Sequence, residues 1–410
     1  MSEKYALVLA GGGAKGSYQI GVWKAFRELG IKFQAILGVS VGALNGVLIA
    51  QNLYNEALEL WNNIKLEDIV YIPEKIKNLK ITDILSLNFV ENFKKLIELI
   101  GKHKGFDSSP LYKLIEKYTD EKKIRKSKID FGVITFKISN FTPAILFLED
   151  IPEGNLKDYL LASASLPGFK PAKIGKDEFI DGGVYNNVPY SIIKSRGYKK
   201  IIVVDISGLG FKGEFNIEGT ETIYIKNSID FGNILDFRPS FIQNFMELGY
   251  LDTLKTFEKI DGIYYFYKKD DYFKKLLNDY FFSENNIKKL SEILNIKSQF
   301  KENILNFLPE SIRYNKFTSV VFIEHSARLL DIPIIKLYSL KELTQEIIKK
   351  VEEKLKENKN FFDYKPKNII EKFITNKEIE NRKIINSTYI FLKNFYQKDF
   401  SFIDKWKYKI

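Results

Sequence analysis

Two kinds of apolar pattern alternate along this chain. Short unbroken apolar runs, such as Tyr5-Ala6-Leu7-Val8-Leu9-Ala10 and Ile201-Ile202-Val203-Val204, are separated by longer stretches in which apolar residues recur every three or four positions. An unbroken run suits a strand buried on both faces, and the wider spacing suits a helix with one apolar stripe. On this reading strands fall at residues 5–10, 35–39, 131–136, 144–148, 179–181, 201–206 and 222–225. Helices fall at 17–29, 41–51, 56–64, 90–100, 110–117 and 156–165. Apolar strands divided by helices predict an α/β sandwich on a mainly parallel central sheet. After Gly262, Lys-, Asn- and aromatic-rich helical patterns dominate, including 339–356 and 376–397, so roughly 230–410 reads as a mainly helical C-terminal region. The stretch 70–109 is a candidate lid, with apolar positions Ile84, Leu85, Leu87, Phe89, Val90, Phe93, Leu96 and Ile97. Core packing produces the same pattern.

Each of the first two strand-like runs ends in a glycine-bearing turn. Gly11-Gly12-Gly13-Ala14-Lys15-Gly16 follows the first and Gly38-Val39-Ser40-Val41-Gly42 the second. The second turn has the form of a nucleophile elbow, where small flanking residues let a strand bend sharply into a helix with a serine at the bend. The first offers consecutive backbone N–H groups free of bulky side chains at the start of a helix, a setting that can hold an oxyanion. A dinucleotide fingerprint would need an acidic residue ending the second strand, which instead runs into Ser40. A P-loop needs Lys then Ser or Thr after its last glycine, whereas Lys15 precedes Gly16. The uncharged stretch 33–55 repeats Gly38, Gly42 and Gly46 as a packed membrane helix could. Its Ser40, Asn45, Gln51 and Asn52 favour a buried strand, a turn and a core helix.

A third element is Phe179-Ile180-Asp181-Gly182-Gly183, preceded by Ala162-Ser163-Ala164-Ser165-Leu166-Pro167-Gly168-Phe169. With these residues the chain resembles the patatin-like phospholipase family, whose pattern is a glycine-rich oxyanion loop, G-x-S-x-G, an A-S-x-S-x-P segment and D-G-G or D-G-A. The resemblance covers roughly residues 5–206 and continues more weakly through 247–254 to about 267. It implies a patatin-like α/β/α sandwich over 5–206, a family-like extension over 207–267 and a mainly helical region of unknown role over 268–410. It also implies Ser40 as nucleophile, with Gly38, Val39, Val41 and Gly42 as its elbow. Asp181 would be its dyad partner, in a motif with Gly182 and Gly183, and Gly11, Gly12, Gly13, Ala14, Lys15 and Gly16 would form the oxyanion loop. The implied activity is cleavage of fatty acyl esters in lipid degradation, as a phospholipase A or lysophospholipase, through an acyl-enzyme and with no cofactor or metal. The substrate would be a phospholipid or lysophospholipid. Plant members often carry an acidic residue before the glycines and Arg in the loop, where this chain has Ala10 and Lys15. Lysine keeps the charge but not the planar fork, and the alternative reading of Lys15 is a first-turn lysine exposed to solvent. A noncatalytic lipid-binding or scaffold protein of the same fold is the alternative function.

A serine hydroxyl is a weak nucleophile until a base takes its proton. The chain has two histidines, His103 in a polar, loop-like Gly101-Lys102-His103-Lys104-Gly105 and His325 in a helical pattern. Neither has a small-residue setting like those of Ser40 and Asp181, so a carboxylate base fits. A triad in the order Ser40, Asp181, His325 is the rival. Against it, the glycine loop here follows the first strand and the serine the second, whereas in α/β-hydrolases the oxyanion loop follows the third strand and precedes a later nucleophile.

Composition narrows the remaining classes. There are no cysteines, so disulfides and thiolate metal sites are out, and two histidines make a histidine-based zinc site a poor fit. No D-x-[DN]-x-[DN]-G calcium loop occurs. The first residues run directly into the first strand with no basic stretch, which predicts no cleavable signal and a cytoplasmic or peripheral membrane location. A net charge of +11 favours attraction to anionic membrane surfaces. That charge is spread along the chain with no basic stripe or binding motif, which argues against nucleic acid.

Overall fold

The computed structural model describes residues 4–71, 105–295, 317–359, 361–362 and 369–397. The apolar positions of the candidate lid, the helix expected at 90–100 and His103 lie outside the described residues. The chain divides into two compact units, Met1–Phe257 and Glu258–Ile410.

In the first unit, β1 (Lys4–Leu9) passes through a 3₁₀ turn (Gly13–Gly16) into α1 (Ser17–Glu28), and β2 (Lys32–Val39) runs into α2 (Val41–Ala50) and α3 (Tyr54–Asn63). Then come α4 (Ser109–Tyr118), α5 (Glu121–Lys126), β3 (Asp130–Lys137), β4 (Thr142–Phe147), α6 (Leu156–Ser163), β5 (Ala172–Ile174) and β6 (Asp177–Asp181). The unit closes with α7 (Tyr190–Ser195), β7 (Lys200–Asp205), β8 (Glu221–Lys226) and α8 (Pro239–Thr256). The strands form one eight-stranded sheet in the order β5-β6-β3-β2-β1-β7-β8, with β4 also paired to β3. From β3 to β8 the neighbours are parallel, while β4 and β6 join β3, and β5 joins β6, antiparallel. The apolar runs of β1, β2 and β7 are buried, as strands covered by helices on both faces must be. Each strand expected from the apolar runs has a counterpart, and the short β5 is added.

Strand register brings distant motifs together. Val39, the last residue of β2, pairs with Ile134, and Asp181, the last residue of β6, pairs with Thr135, the next residue of β3. One strand therefore places the ends of the G-x-S-x-G and D-G-G segments side by side.

The helix α2 is apolar all round and buried almost throughout, so it belongs to the core. The 247–254 segment lies within α8, whose buried residues include Phe241, Phe245, Leu248, Leu251 and Leu254. Burial spread round α8 blurs the single apolar stripe by which a helix is read from sequence. The Tyr18 hydroxyl of α1 donates to Asp252 Oδ2 of α8 at 2.9 Å, and the Ser228 N–H donates to the same oxygen at 2.9 Å. This buried carboxylate thereby ties α1, α8 and the loop after β8 together.

The second unit is mainly helical, with α9 (Asp271–Phe281), α10 (Glu284–Leu294), α11 (Thr318–Leu329), α12 (Leu340–Glu357) and α13 (Ile369–Gln397). A small sheet, β9 (Ile260–Asp261), β10 (Phe266–Lys268) and β11 (Leu337–Tyr338), accompanies them. Phe281, Leu290, Phe322, Leu343, Ile347 and Leu392 lie in its core. Glu324, fully buried, accepts backbone N–H bonds from Ile263, Tyr264 and Tyr265, so its charge is met by the turn before β10. Among the described residues, no helix is long and apolar enough to cross a membrane.

Candidate active site

Ser40 sits between β2 and α2 with φ 55° and ψ −129°, a backbone conformation that a residue with a side chain rarely adopts. Its neighbours make the bend possible. A Cβ on Gly38 would lie 2.4 Å from Ala43 N, and one on Gly42 would lie 2.3 Å from Leu9 O, so the turn closes only with glycine at both positions. The Ser40 N–H donates to Ser163 Oγ at 2.9 Å, and the Ser163 hydroxyl donates to Ile134 O at 2.6 Å. The strained residue is thus fastened to β3 through a side chain of the A-S-A-S segment. That segment also holds the other motif, because the Asp181 N–H donates to Ser165 O at 2.8 Å.

The Asp181 carboxyl is buried, and its Oδ1 accepts the Gly183 N–H at 2.7 Å. Burial pushes its pKa up to about 6, against the opposing pull of the Ser40 hydroxyl and the Gly183 N–H. The Ser40 hydroxyl is therefore near enough to favour the charged carboxylate. Oδ2 has no hydrogen-bond partner among the described residues. A buried carboxylate oxygen left unmatched beside a serine is costly in a purely structural role and useful in a proton acceptor.

The glycine loop after β1 lies against the same turn. A Cβ on Gly11 would come within 3.0 Å of the Ser40 Cβ. The Gly11 N–H donates to Asn187 Oδ1 at 3.1 Å, the Ala14 N–H to Ile234 O at 2.8 Å and the Lys15 N–H to Gly12 O at 3.2 Å. None of those bonds uses the N–H groups of Gly12 and Gly13, which stand at the entry to the 3₁₀ turn. Gly13 has φ 55° and opens the 3₁₀ turn.

Gly13 and Ser40 also form part of the wall of an apolar pocket of about 790 Å³, counted with its open mouth. Most of the rest of the lining comes from α2, α3, α4 and α6, through side chains such as Leu44, Leu48, Trp61, Leu111, Ile115 and Leu160. Its walls are almost wholly apolar and suit a hydrocarbon chain.

A family model described as Patatin-like phospholipase matches residues 7–193, which contain Ser40, Asp181, Asn187 and the glycine loop. Residues 7–193 are a patatin-like phospholipase domain. Over 206 residues the chain is 29% identical to "Patatin-like phospholipase domain-containing protein 7" of Rattus norvegicus, covering 49% of this chain and 13% of that protein. It is 28% identical over 204 residues to "Neuropathy target esterase sws" of Drosophila melanogaster, again 49% of this chain and 13% of that protein. It is also 27% identical over 212 residues to "Lysophospholipase NTE1" of Kluyveromyces lactis. The chain thus spans a small part of the length of these curated relatives. Among solved structures it is similar to VipD from Legionella pneumophila, at a TM-score of 0.35 and 15% identity, covering 95% of this chain and 91% of that one.

Within the patatin-like domain, Lys15, Asn187 and Ser163 all bond to backbone groups distant in sequence. Lys15 is not the exposed lysine that one sequence reading allowed. It is 5% exposed, and its Nζ donates to Asp230 Oδ1 at 2.6 Å and to Ser207 O at 3.4 Å. The turn that carries it is packed under the 228–236 loop, so the side chain runs through protein to a carboxylate. Asn187 and Ser163 escaped the sequence reading as site residues. Both act on backbone groups brought near only by the fold, and in sequence each sits among similar small polar residues. Of the two rival bases, Asp181 belongs to the same unit as Ser40, whereas His325 lies on α11 of the second unit, half-buried.

Proposed function

We propose that the chain is a serine lipid acyl hydrolase that releases fatty acid from phospholipid or lysophospholipid. The observation that carries this reading is Ser40, held on a strained turn in the wall of an apolar pocket, beside the unpartnered Oδ2 of the buried Asp181. In the reaction Asp181 accepts the Ser40 proton as Oγ attacks the ester carbonyl. The N–H groups of Gly12 and Gly13 then donate to the oxyanion, each such donor being worth roughly 10²–10³ in rate. Collapse expels the alcohol or lysolipid, which takes the proton back from Asp181, and leaves the acyl group on Ser40. Water attacks this ester with Asp181 again as base, and the acid departs with Ser40 restored. A carboxyl with a pKa of about 6 is a stronger base than an ordinary aspartate and is still mainly ionised at neutral pH. The pocket beside Ser40 would hold the acyl chain.

Relatives named as phospholipase and lysophospholipase support the substrate class. The test is a panel of phospholipids and lysophospholipids offered to the wild type and to Ser40→Ala, together with fluorophosphonate labelling. Labelling at Ser40 and fatty acid release, both lost in Ser40→Ala, are expected. A wild type that takes no label and releases no acid from any lipid would leave a lipid-binding scaffold as the better account.

A further inference from the structure

The segment after β7 reads Ser207-Gly208-Leu209-Gly210-Phe211-Lys212-Gly213, and its alternation of glycine with large apolar residues has a geometric cause. A Cβ on Gly208 would lie 1.9 Å from Gly11 O, and one on Gly210 would lie 2.3 Å from Gly183 O. One side of the segment is therefore pressed against both loops of the active site, where no side chain fits. The other side carries Leu209 and Phe211, which are 52% and 75% exposed. Val184 and Tyr185, on the turn that follows Asp181, are exposed as well.

This exposure is built into the fold. The Phe211 N–H donates to Gly183 O at 3.2 Å, and Phe211 O accepts the Asn187 N–H at 2.6 Å. Asn186 Oδ1 accepts the Gly213 N–H at 3.1 Å. The buried Asp205 accepts the Ser207 N–H at 2.9 Å and Lys212 Nζ at 2.5 Å, pinning both ends of the tip. Hydrogen bonds thus hold the backbone in a conformation that keeps two large apolar side chains in water, an unfavourable arrangement unless something covers them.

We propose that Leu209 and Phe211 dip into the surface of a phospholipid aggregate and seat the active site against it. The proposal rests on the hydrolase reading above. Two observations choose a lipid surface as the occupant. The tip packs on the loops of Gly11 and Gly183 that flank Ser40 and Asp181, so whatever covers it lies next to the loops that carry the reacting groups. In addition, Ser207–Gly213 contains no carboxylate, and its one charged residue, Lys212, is neutralised by Asp205, so the tip presents apolar side chains and no negative charge that a surface bearing phosphates would repel.

The test uses the full chain and phosphatidylcholine vesicles, on which the protein's net charge has little pull. Phe211→Trp should gain an emission that brominated phosphatidylcholine quenches, beyond any quenching of the native tryptophans in the wild type, and the gain should persist when Ser40→Ala is added. The double change Leu209→Ser with Phe211→Ser should lower vesicle hydrolysis at least about tenfold while leaving a water-soluble short-chain ester cleaved as in the wild type, since each apolar side chain contributes to partitioning in proportion to its buried area. Absence of quenching, unchanged vesicle hydrolysis, or an equal loss on both substrates would overturn the proposal. So would a wild-type dimer that the double change dissolves, because the occupant would then be a second copy. If the wild type cleaved no lipid yet Phe211→Trp were quenched, the hydrolase reading would fall and the membrane contact would stand.

Discussion

Asn187 and Gly11 exchange two hydrogen bonds: the Gly11 N–H donates to Oδ1 at 3.1 Å, and Nδ2 donates to Gly11 O at 3.2 Å. This pair joins the segment after Asp181 to the loop that presents the Gly12 and Gly13 donors. Each half of the amide meets a backbone group of opposite character, which fixes both the loop and the asparagine.

Asn187→Ala should therefore lower kcat by roughly 10- to 100-fold, less than outright loss of an oxyanion donor because both N–H groups remain but are less firmly held, with little change in KM. Asn187→Asp keeps an acceptor for the Gly11 N–H but loses the donor to Gly11 O and adds a negative charge near Asp181. A like charge raises a carboxyl pKa. The acid limb of the kcat/KM profile, expected near pH 6 in the wild type, should move upward in this variant. An unshifted limb would mean that Asp181 is not the group it reports.

The base is separable from the histidines by substitution. Asp181→Asn should cost about 10²–10⁴ in kcat, while His103→Gln and His325→Gln should keep most of the activity. A loss in His325→Gln as severe as that in Asp181→Asn would restore the Ser40, Asp181, His325 triad.

Much of this site was legible in the sequence because glycine and small residues mark places where the backbone has no room for a side chain. Gly38, Gly42 and Gly182 are needed by contacts with other backbone, so they stand out in the chain as motifs. The strands of the sheet were legible for a related reason, since burial on both faces demands unbroken apolar runs. What was not legible depends on partners far along the chain. The Asn187–Gly11 pair, the Lys15–Asp230 contact and the Ser163 bridge leave no periodicity and no local composition signal. The small sheet of the second unit escaped as well, because strands as short as β9 and β11 have too few residues to display alternation.

Backbone strain at Ser40 predicts an opposition between stability and chemistry. With φ at 55° and ψ at −129°, any side chain is disfavoured there by on the order of 1–3 kcal/mol. Ser40→Gly should then unfold at a higher denaturant midpoint than Ser40→Ala, although both are inactive. Equal midpoints would indicate that the surrounding contacts tolerate the Cβ without strain.

The pocket can be shortened from one wall. Leu48 lies on α2 among the lining residues, nearly buried. Leu48→Trp should fill part of the cavity and depress kcat/KM for long acyl chains by tenfold or more, while short acyl esters lose little, since each methylene denied burial forfeits about 0.8 kcal/mol. A uniform loss across chain lengths would place the acyl chain elsewhere.

Asp181 itself should be a liability to the fold. Burial raises its carboxyl to about 6, above the value of about 3.9 expected in the unfolded chain. The folded state therefore holds its proton more tightly, and the stabilisation this gives is complete below pH about 4. As pH rises from there through 6 the unfolded chain ionises first, and the advantage is lost; at neutral pH a charge must sit in a buried site with Oδ2 unmatched. Asp181→Asn keeps an oxygen to accept the Gly183 N–H and carries no charge. It should be more stable than the wild type above pH 6 by on the order of 1–3 kcal/mol, with the difference shrinking steadily toward pH 4. Chemical denaturation of the two proteins across that range gives the curve directly. A gain that did not depend on pH would place its origin in packing, and the raised pKa of the proposed base would lose its support.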